Sequence, residues 1–419
     1  LNLIKFVFFL LLLFSNVVLG DVCKFPIKWE FNKVGSLSNV GVFGPTDFVF
    51  LSKEEILLIN FPQQDKLKAS LQIYEKSKNG WSFSRKLSKY LPATYHGRHV
   101  FKADIEGDKT EEVIISDHGI DKPPFPGAPI VILEKKKKYW RLHPMSKRMP
   151  ISTNFNSAFI NWGENNKAIF RASMNPADST LFELKKGWVN TTSTLPKELT
   201  QSQMCMMSTL SEDFDGDGSG DLFLGGCDRN QDHSFQKHDR ILTNVKGQWV
   251  LLPTNTLPAR QLNSTWGTVY VEKINYNDDN KPDLIVSTHD FGFHSWKVVI
   301  YENQSTPGNF FFREVLVPIS QESNTEGFLN SFEMANLPGY KNLILADVRS
   351  VLRDKAKVHP KQFLRFLVQV NNELVDASNC VPTEISKNLY KIRKIPDSNN
   401  EFLLVPFHGD IMHLKLDLK

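Results

Sequence analysis

One nine-residue stretch constrains this chain more than any other: Asp213-Phe214-Asp215-Gly216-Asp217-Gly218-Ser219-Gly220-Asp221. Carboxylates fall at positions 1, 3, 5 and 9, and Ser219 at position 7 can turn its backbone carbonyl inward. A hard cation that takes six to eight oxygens is served by this spacing. Gly216, Gly218 and Gly220 permit the positive φ that a tight curl demands. Without a cation the converging carboxylates repel one another. The competing reading is a solvated acidic turn. The pattern points to calcium.

The loop has echoes. Asp104, Glu106, Asp108 and Glu112 repeat the spacing, and so do Asn275, Asn277, Asp279 and Asp283. Each loop runs into an apolar strand: Val113-Ile114-Ile115, Leu222-Phe223-Leu224 or Leu284-Ile285-Val286. Aligning on that junction exposes degenerate copies, with first positions at 47, 104, 159, 213, 275, 334 and 393. Near-equal units without strong helical patterns between them indicate a repeat architecture. The expectation is an all-β, seven-bladed β-propeller with four-stranded blades, each blade adding core against its neighbours.

The seventh unit is short. After Phe402 to Phe407 only Asp410 to Lys419 remains, enough for one more strand. The run Ile27-Lys28-Trp29-Glu30-Phe31 is expected to supply the outer strand of blade seven and close the ring, removing an open sheet edge.

Residues 1–20 read as a secretory signal peptide: Lys5, then an apolar core from Phe6 to Phe14, then Val18-Leu19-Gly20. An uncleaved anchor is the alternative for this segment; no other stretch is long and apolar enough to cross a membrane, so no stable membrane span is expected, and residues 21–419 are expected to form the propeller. Export favours disulfides among the four cysteines. Three pairings exist. Cys205 and Cys227 flank the acidic loop on one hairpin, which favours that pair, and Cys23 with Cys380 follows by elimination; free buried thiols are the alternative. Asn190, Asn263 and Asn303 head sequons expected at the surface.

The net charge of +4 is small for 419 residues and implies neither a nucleic-acid partner nor a strongly anionic surface. The one basic run, Lys135 to Lys138, lies between two β-rich segments and reads as a solvated hairpin turn, with contact to a heparin-like polyanion as the alternative.

The acidic loop with its following Leu-Phe-Leu resembles the FG-GAP/VCBS repeat family, the propeller repeats also seen in integrin α-chain heads. Asp117-His118-Gly119-Ile120-Asp121 and the Pro-rich segment after it resemble the secreted VCBS-type proteins. The resemblance spans roughly residues 45–419 and implies calcium at the loops. In rank order the sites are Asp213, Asp215, Asp217, Ser219 and Asp221; then Asp104, Glu106, Asp108 and Glu112; then Asn275, Asn277, Asp279 and Asp283. Fewer charges imply weaker binding. The resemblance implies no single activity.

Propeller topology puts the calcium turns on one face and the longer connections on the other. That second face is expected to collect Arg98, His118, Asp121, His233, His289, Asp290, His294 and Trp296, a set suited to sugar stacking and hydroxyl recognition, with a second metal, acid–base catalysis or simply hydrogen-bonded loop residues as the alternatives. No nucleophile elbow, HExxH or phosphate loop occurs, so no catalytic residue is named. The functional expectation is a secreted, non-catalytic binding module for carbohydrate or an extracellular protein. The alternatives are a carbohydrate-active enzyme on the propeller face, such as a polysaccharide lyase or sugar dehydratase, and an adhesion or immune-modulating ectodomain.

Overall fold

Each internal unit places a continuous aliphatic run on its second strand. Val113-Ile114-Ile115, Leu222-Phe223-Leu224, Leu284-Ile285-Val286 and Leu343-Ile344-Leu345 are wholly buried. A strand that reads as unbroken apolar sequence needs cover on both faces, and stacked sheets provide it. The computed structural model describes residues 23–38, 44–62, 67–120, 126–162, 166–173, 179–185, 187–200, 205–227, 239–259, 266–290, 296–319, 327–350, 362–387 and 390–419.

Over these residues the chain is all-β and forms a β-propeller with five separate four-stranded antiparallel blades. In the second unit the strands are Gly97–Ala103, Glu112–Asp117, Val131–Lys136 and Tyr139–Leu142. The fourth unit has Cys205–Glu212, Asp221–Cys227, Arg240–Val245 and Gln248–Leu251. The fifth has Trp266–Ile274, Asp283–Asp290, Trp296–Asn303 and Phe312–Val317. The third and sixth units, opening with Asn154–Asn161 and Gly327–Ala335, repeat the order.

An apolar residue on the short fourth strand fastens each blade to the one before. Trp140 packs among Leu57, Ile59 and Ile73 of the first unit, and Trp249 among Phe170 and Leu181 of the third. Replacing such a tryptophan by alanine costs about 3–5 kcal/mol. The first strand of six units carries a register shift, between Pro45/Asp47, Gly97/His99, Asn154/Asn156, Met206/Ser208, Thr268/Tyr270 and Leu329/Ser331. A bulge of this kind bends the strand and increases its twist.

The expectation of seven separate blades, with an N-terminal strand as the closing edge, is corrected here. The first and last units belong to one eight-stranded sheet. Strand Ile27–Ser36 pairs antiparallel with Asp410–Leu418, from Ile27 opposite Leu418 to Ser36 opposite Asp410. The sheet does not stop there, because Gly35 also pairs in parallel with Trp81 on strand Gly80–Phe83. The N-terminal strand is therefore internal to a continuous sheet. Gly35 is what permits this approach: a Cβ there would sit 2.5 Å from the Trp81 carbonyl oxygen.

Both disulfides, Cys205–Cys227 and Cys23–Cys380, form in the pairing read from the sequence. Among the described residues no helix is long and apolar enough to cross a membrane. The signal-peptide assignment to residues 1–20 lies outside the described residues.

Candidate metal centre and loop face

Three loops, in the second, fourth and fifth units, share one backbone plan. Their fourth and sixth positions take positive φ: Gly107 and Lys109, Gly216 and Gly218, Asp278 and Asn280. Local side chains hold the curl. Asp213 Oδ1 accepts from the Gly216 and Asp217 N–H groups and Oδ2 from that of Gly218. Asp104 does the same with Gly107, Asp108 and Lys109, while Asn275 keeps only the bond from Asp278. The fifth-position carboxylates Asp217, Asp108 and Asp279 each accept the N–H two residues on. The ninth-position carboxylate closes each loop by accepting the second-position N–H: Phe214 to Asp221, Ile105 to Glu112 and Tyr276 to Asp283. Gly220 has a different role from the one expected. Its φ is not positive; its N–H bonds the Asn161 carbonyl, and a Cβ would lie 2.6 Å from that oxygen.

Only the fourth-unit loop brings its carboxylates together among the described residues. Asp213, Asp215 and Asp221 offer oxygens that all lie within 4.8 Å of one another. Asp217 stands beside them as a backbone acceptor. Two groups that the sequence reading missed complete the arrangement. Thr243 donates its hydroxyl to Asp221 Oδ1 at 2.5 Å, and the Gly308 N–H, from a turn of the next unit, donates to Asp215 Oδ2 at 2.7 Å. Burial pushes the Asp221 carboxyl up to about 7, against the Thr243 and Phe214 bonds and with Asp215 and Asp217 adding to it. Asp215 is raised as well, chiefly by burial. A cation at this point would relieve both the burial cost and the repulsion. The donor set, carboxylate oxygens alone, suits a hard ion.

The second-unit loop departs from the expected ligand set. Glu106 points to His143, with Oε1 3.0 Å from Nε2, so the third position is spent outside the loop. Lys167 reaches in from the third unit and donates to the Asp104 carbonyl at 2.9 Å. Burial opposes ionisation of Asp104, yet the Lys109, Gly107 and Asp108 N–H groups and the Lys167 ammonium hold it below the usual range. Glu112 is pushed up to about 7 by burial. In the fifth-unit loop Asn277 donates to Asp279 and to Glu302, and Asn342 of the next unit donates to the Asn275 carbonyl. Lys167 and Asn342 both occupy the ninth position of their own degenerate units. Where that position is no longer acidic, it has become a donor to the preceding loop.

The loop face is assembled in part. Arg98 lies over the Phe155 ring at 4.6 Å, and His118 meets the same ring at 4.8 Å, so these two expected residues share one aromatic partner. His96, which the ligand set omits, stands 5.9 Å from His118. Burial holds His96 well below the usual histidine range. Asp117 anchors this corner by accepting the Tyr95, His96 and Gly119 N–H groups. His289 is buried and stacks on Phe328. Trp296 is corrected as a ligand-facing residue: it is 6% exposed and packs in the core between the fifth and sixth units. Asp121, His233, His294 and the Asp290 side chain lie outside the described residues.

The sequons divide. Asn190 is exposed. Asn303 is fully buried, donates to the Phe214 and Pro282 carbonyls and accepts the Ser305 N–H, so its amide is unavailable to a glycan. Asn263 lies outside the described residues. A polar cluster from first strands was also missed: Arg393 bonds Asp47 at 2.8 Å and Glu333 at 3.2 Å, with Tyr270 donating to Glu272 at 3.3 Å nearby.

No family model and no curated protein matches the chain. Among solved structures it is similar to RAG in complex with one melted and one unmelted RSS, at 10% identity over 92% of this chain and 99% of that one, with a TM-score of 0.41. It is also similar to the V. cholerae biofilm matrix protein Bap1, at 11% identity over 93% of this chain and 70% of that one, with a TM-score of 0.40.

Proposed function

We propose that this chain is a secreted, calcium-stabilised propeller that acts as a non-catalytic binding module for carbohydrate or an extracellular protein. The observation that carries the reading is the convergence of Asp213, Asp215 and Asp221 at the fourth-unit loop. Such an ion staples a turn: Asp215 also receives the Gly308 N–H, so the centre spans two blades. The two disulfides support an oxidising compartment.

The finer reading of the fold belongs to this proposal. An all-β propeller with acidic loops before its second strands is in keeping with the FG-GAP/VCBS resemblance. The fourth-unit loop is the principal calcium site. The second and fifth are weaker, since Glu106 is held by His143 and Asn275 and Asn277 carry no charge.

The ligand surface is the loop face around Arg98 and His118, with His96 and Phe155. Trp296 is no part of it. The first experiment is a thermal melt with calcium and with chelator, on the parent and on Asp215→Ala. A chelator-sensitive melt that the variant abolishes supports the calcium reading; equal melts in all conditions refute it. A glycan array with the same samples, and with Arg98→Ala, then tests the ligand class.

A further inference from the structure

A basic and aromatic surface spans the outer rim between the first and second units. The short helix Arg85–Ser88 buries Leu87 against Trp140 and Leu142, so its polar residues face outward beside the Lys135–Lys138 turn. Arg85, Lys86, Lys89, Lys137 and Lys138 are exposed, and among the described residues none has a carboxylate within ion-pair distance. Nearby carboxylates are already engaged: Glu55 holds Lys135 at 3.4 Å, and Glu134 holds Lys136 at 3.0 Å and Arg141 at 3.1 Å. Glu75, opposite Glu55 in the sheet, marks the flank.

Two tyrosines join the halves of this surface. Tyr90, 51% exposed, meets Tyr139 edge-on with ring centroids 5.1 Å apart. Lys89 Nζ sits 5.2 Å from the Tyr90 ring centre and Lys138 Nζ 5.5 Å from that of Tyr139. The ammonium groups thus flank an aromatic seam. A like-charged cluster held on rigid hairpin and helix elements attracts a polyanion. Aromatic faces beside cations suit an anionic sugar, whose C–H face packs on the ring while its sulfate or carboxylate meets the lysine.

We infer that this rim is a binding site for an anionic polysaccharide, a chain of sulfated or uronic-acid sugars. The site rests on the secreted reading, since a protein folded in an oxidising compartment meets such chains outside the cell. It does not rest on the calcium loop or the loop face. A nucleic acid presents similar charge, and the duplex arm of the test separates the two.

The test is isothermal titration of the full chain with a heparin octasaccharide at physiological salt, with and without chelator, beside a duplex DNA of equal charge. Variants are Lys89→Glu/Lys138→Glu, Tyr90→Ala, and Lys246→Glu as a control at the equivalent turn of the fourth unit. All are exposed, and a melt of each confirms folding. The expected result is octasaccharide binding that the double reversal weakens by at least about tenfold. Tyr90→Ala weakens binding severalfold, Lys246→Glu leaves it unchanged, and DNA binds more weakly. Absence of binding by the parent, unchanged binding by the double reversal, or equal binding of DNA overturns the inference. Loss of binding on chelation, with the double reversal still binding, would tie the glycan to the proposed calcium centre and not to this rim, and would also overturn the inference.

Discussion

Arg393 and Asp47 stand 346 residues apart in sequence and 2.8 Å apart in space. Arg393 also meets Glu333, so one guanidinium links the first strands of the first, sixth and seventh units. Burial works against its charge, yet Asp47, Tyr270 and Glu333 hold it well above the ordinary arginine value. Removing one partner of a buried pair leaves the other uncompensated, at a cost of about 3–5 kcal/mol. Arg393→Met should lower the unfolding free energy, read from a denaturant titration, by that much, and adding Asp47→Asn and Glu333→Gln should recover part of it. A single variant with parent-like stability would show that the pair is idle.

Glu272 shares this cluster and, among the described residues, makes no ion pair at contact distance. Burial, with Glu333 adding to it, pushes its carboxyl up to about 7, while Arg393 and the Tyr270 hydroxyl pull the other way. Asp47, Asp347 and Lys391 are further charges around Arg393, and His99, held at about 4 by burial, stays neutral at physiological pH. Between the unfolded value of 4.5 and about 7 the folded state binds the extra proton, so stability falls as pH rises across that window. Glu272→Gln should remove that slope and stabilise the protein by about 3 kcal/mol at pH ~8. The check is a denaturation series from acid to alkaline pH; a slope retained in the variant would assign it to another group.

Cys23–Cys380 closes a span of 357 residues and Cys205–Cys227 one of 22. Loop-closure entropy grows with the logarithm of length, so the long bridge should stabilise by about 5 kcal/mol and the short one by about 3. Paired Cys→Ser variants compared by chemical denaturation test the order. A larger loss from the short bridge would show that native-state packing outweighs chain entropy.

Asn303 and Asn190 should behave oppositely. Asn303→Gln should cost about 1–3 kcal/mol, because it disrupts the two buried carbonyl contacts, and should leave the glycan mass unchanged. Asn190→Gln should remove a glycan with little effect on stability. Mass spectrometry after secretion from a eukaryotic host decides; a glycan on Asn303 would contradict its burial.

The acidic loops were legible because their chemistry is local. Polar side chains two residues apart in a tight turn can bond only a few nearby N–H groups, so the first side chain of each loop, Asp213, Asp104 or Asn275, accepts the N–H three residues on. The disulfide pairing was legible because Cys205 and Cys227 flank one hairpin. Trp296, His289 and Asn303 were misjudged because burial is set by neighbours distant in sequence. Trp296 lies beside polar residues in the chain yet inside the core in space. Glu106 fits its loop by spacing, but His143, 37 residues away, takes its carboxylate.

The sequence by itself determined the repeat, the all-β character, the curl of the acidic loops and the positions of the aliphatic strands. These follow from side-chain periodicity and local backbone preference, which act over a few residues. Tertiary structure decided which loop converges its carboxylates, which sequon is accessible and how the first and last units merge into one sheet. It also brought Lys89 and Tyr90 of one unit beside Tyr139 and Lys138 of the next. Those outcomes depend on contacts between units, and no local pattern specifies which side chains will meet when the blades pack.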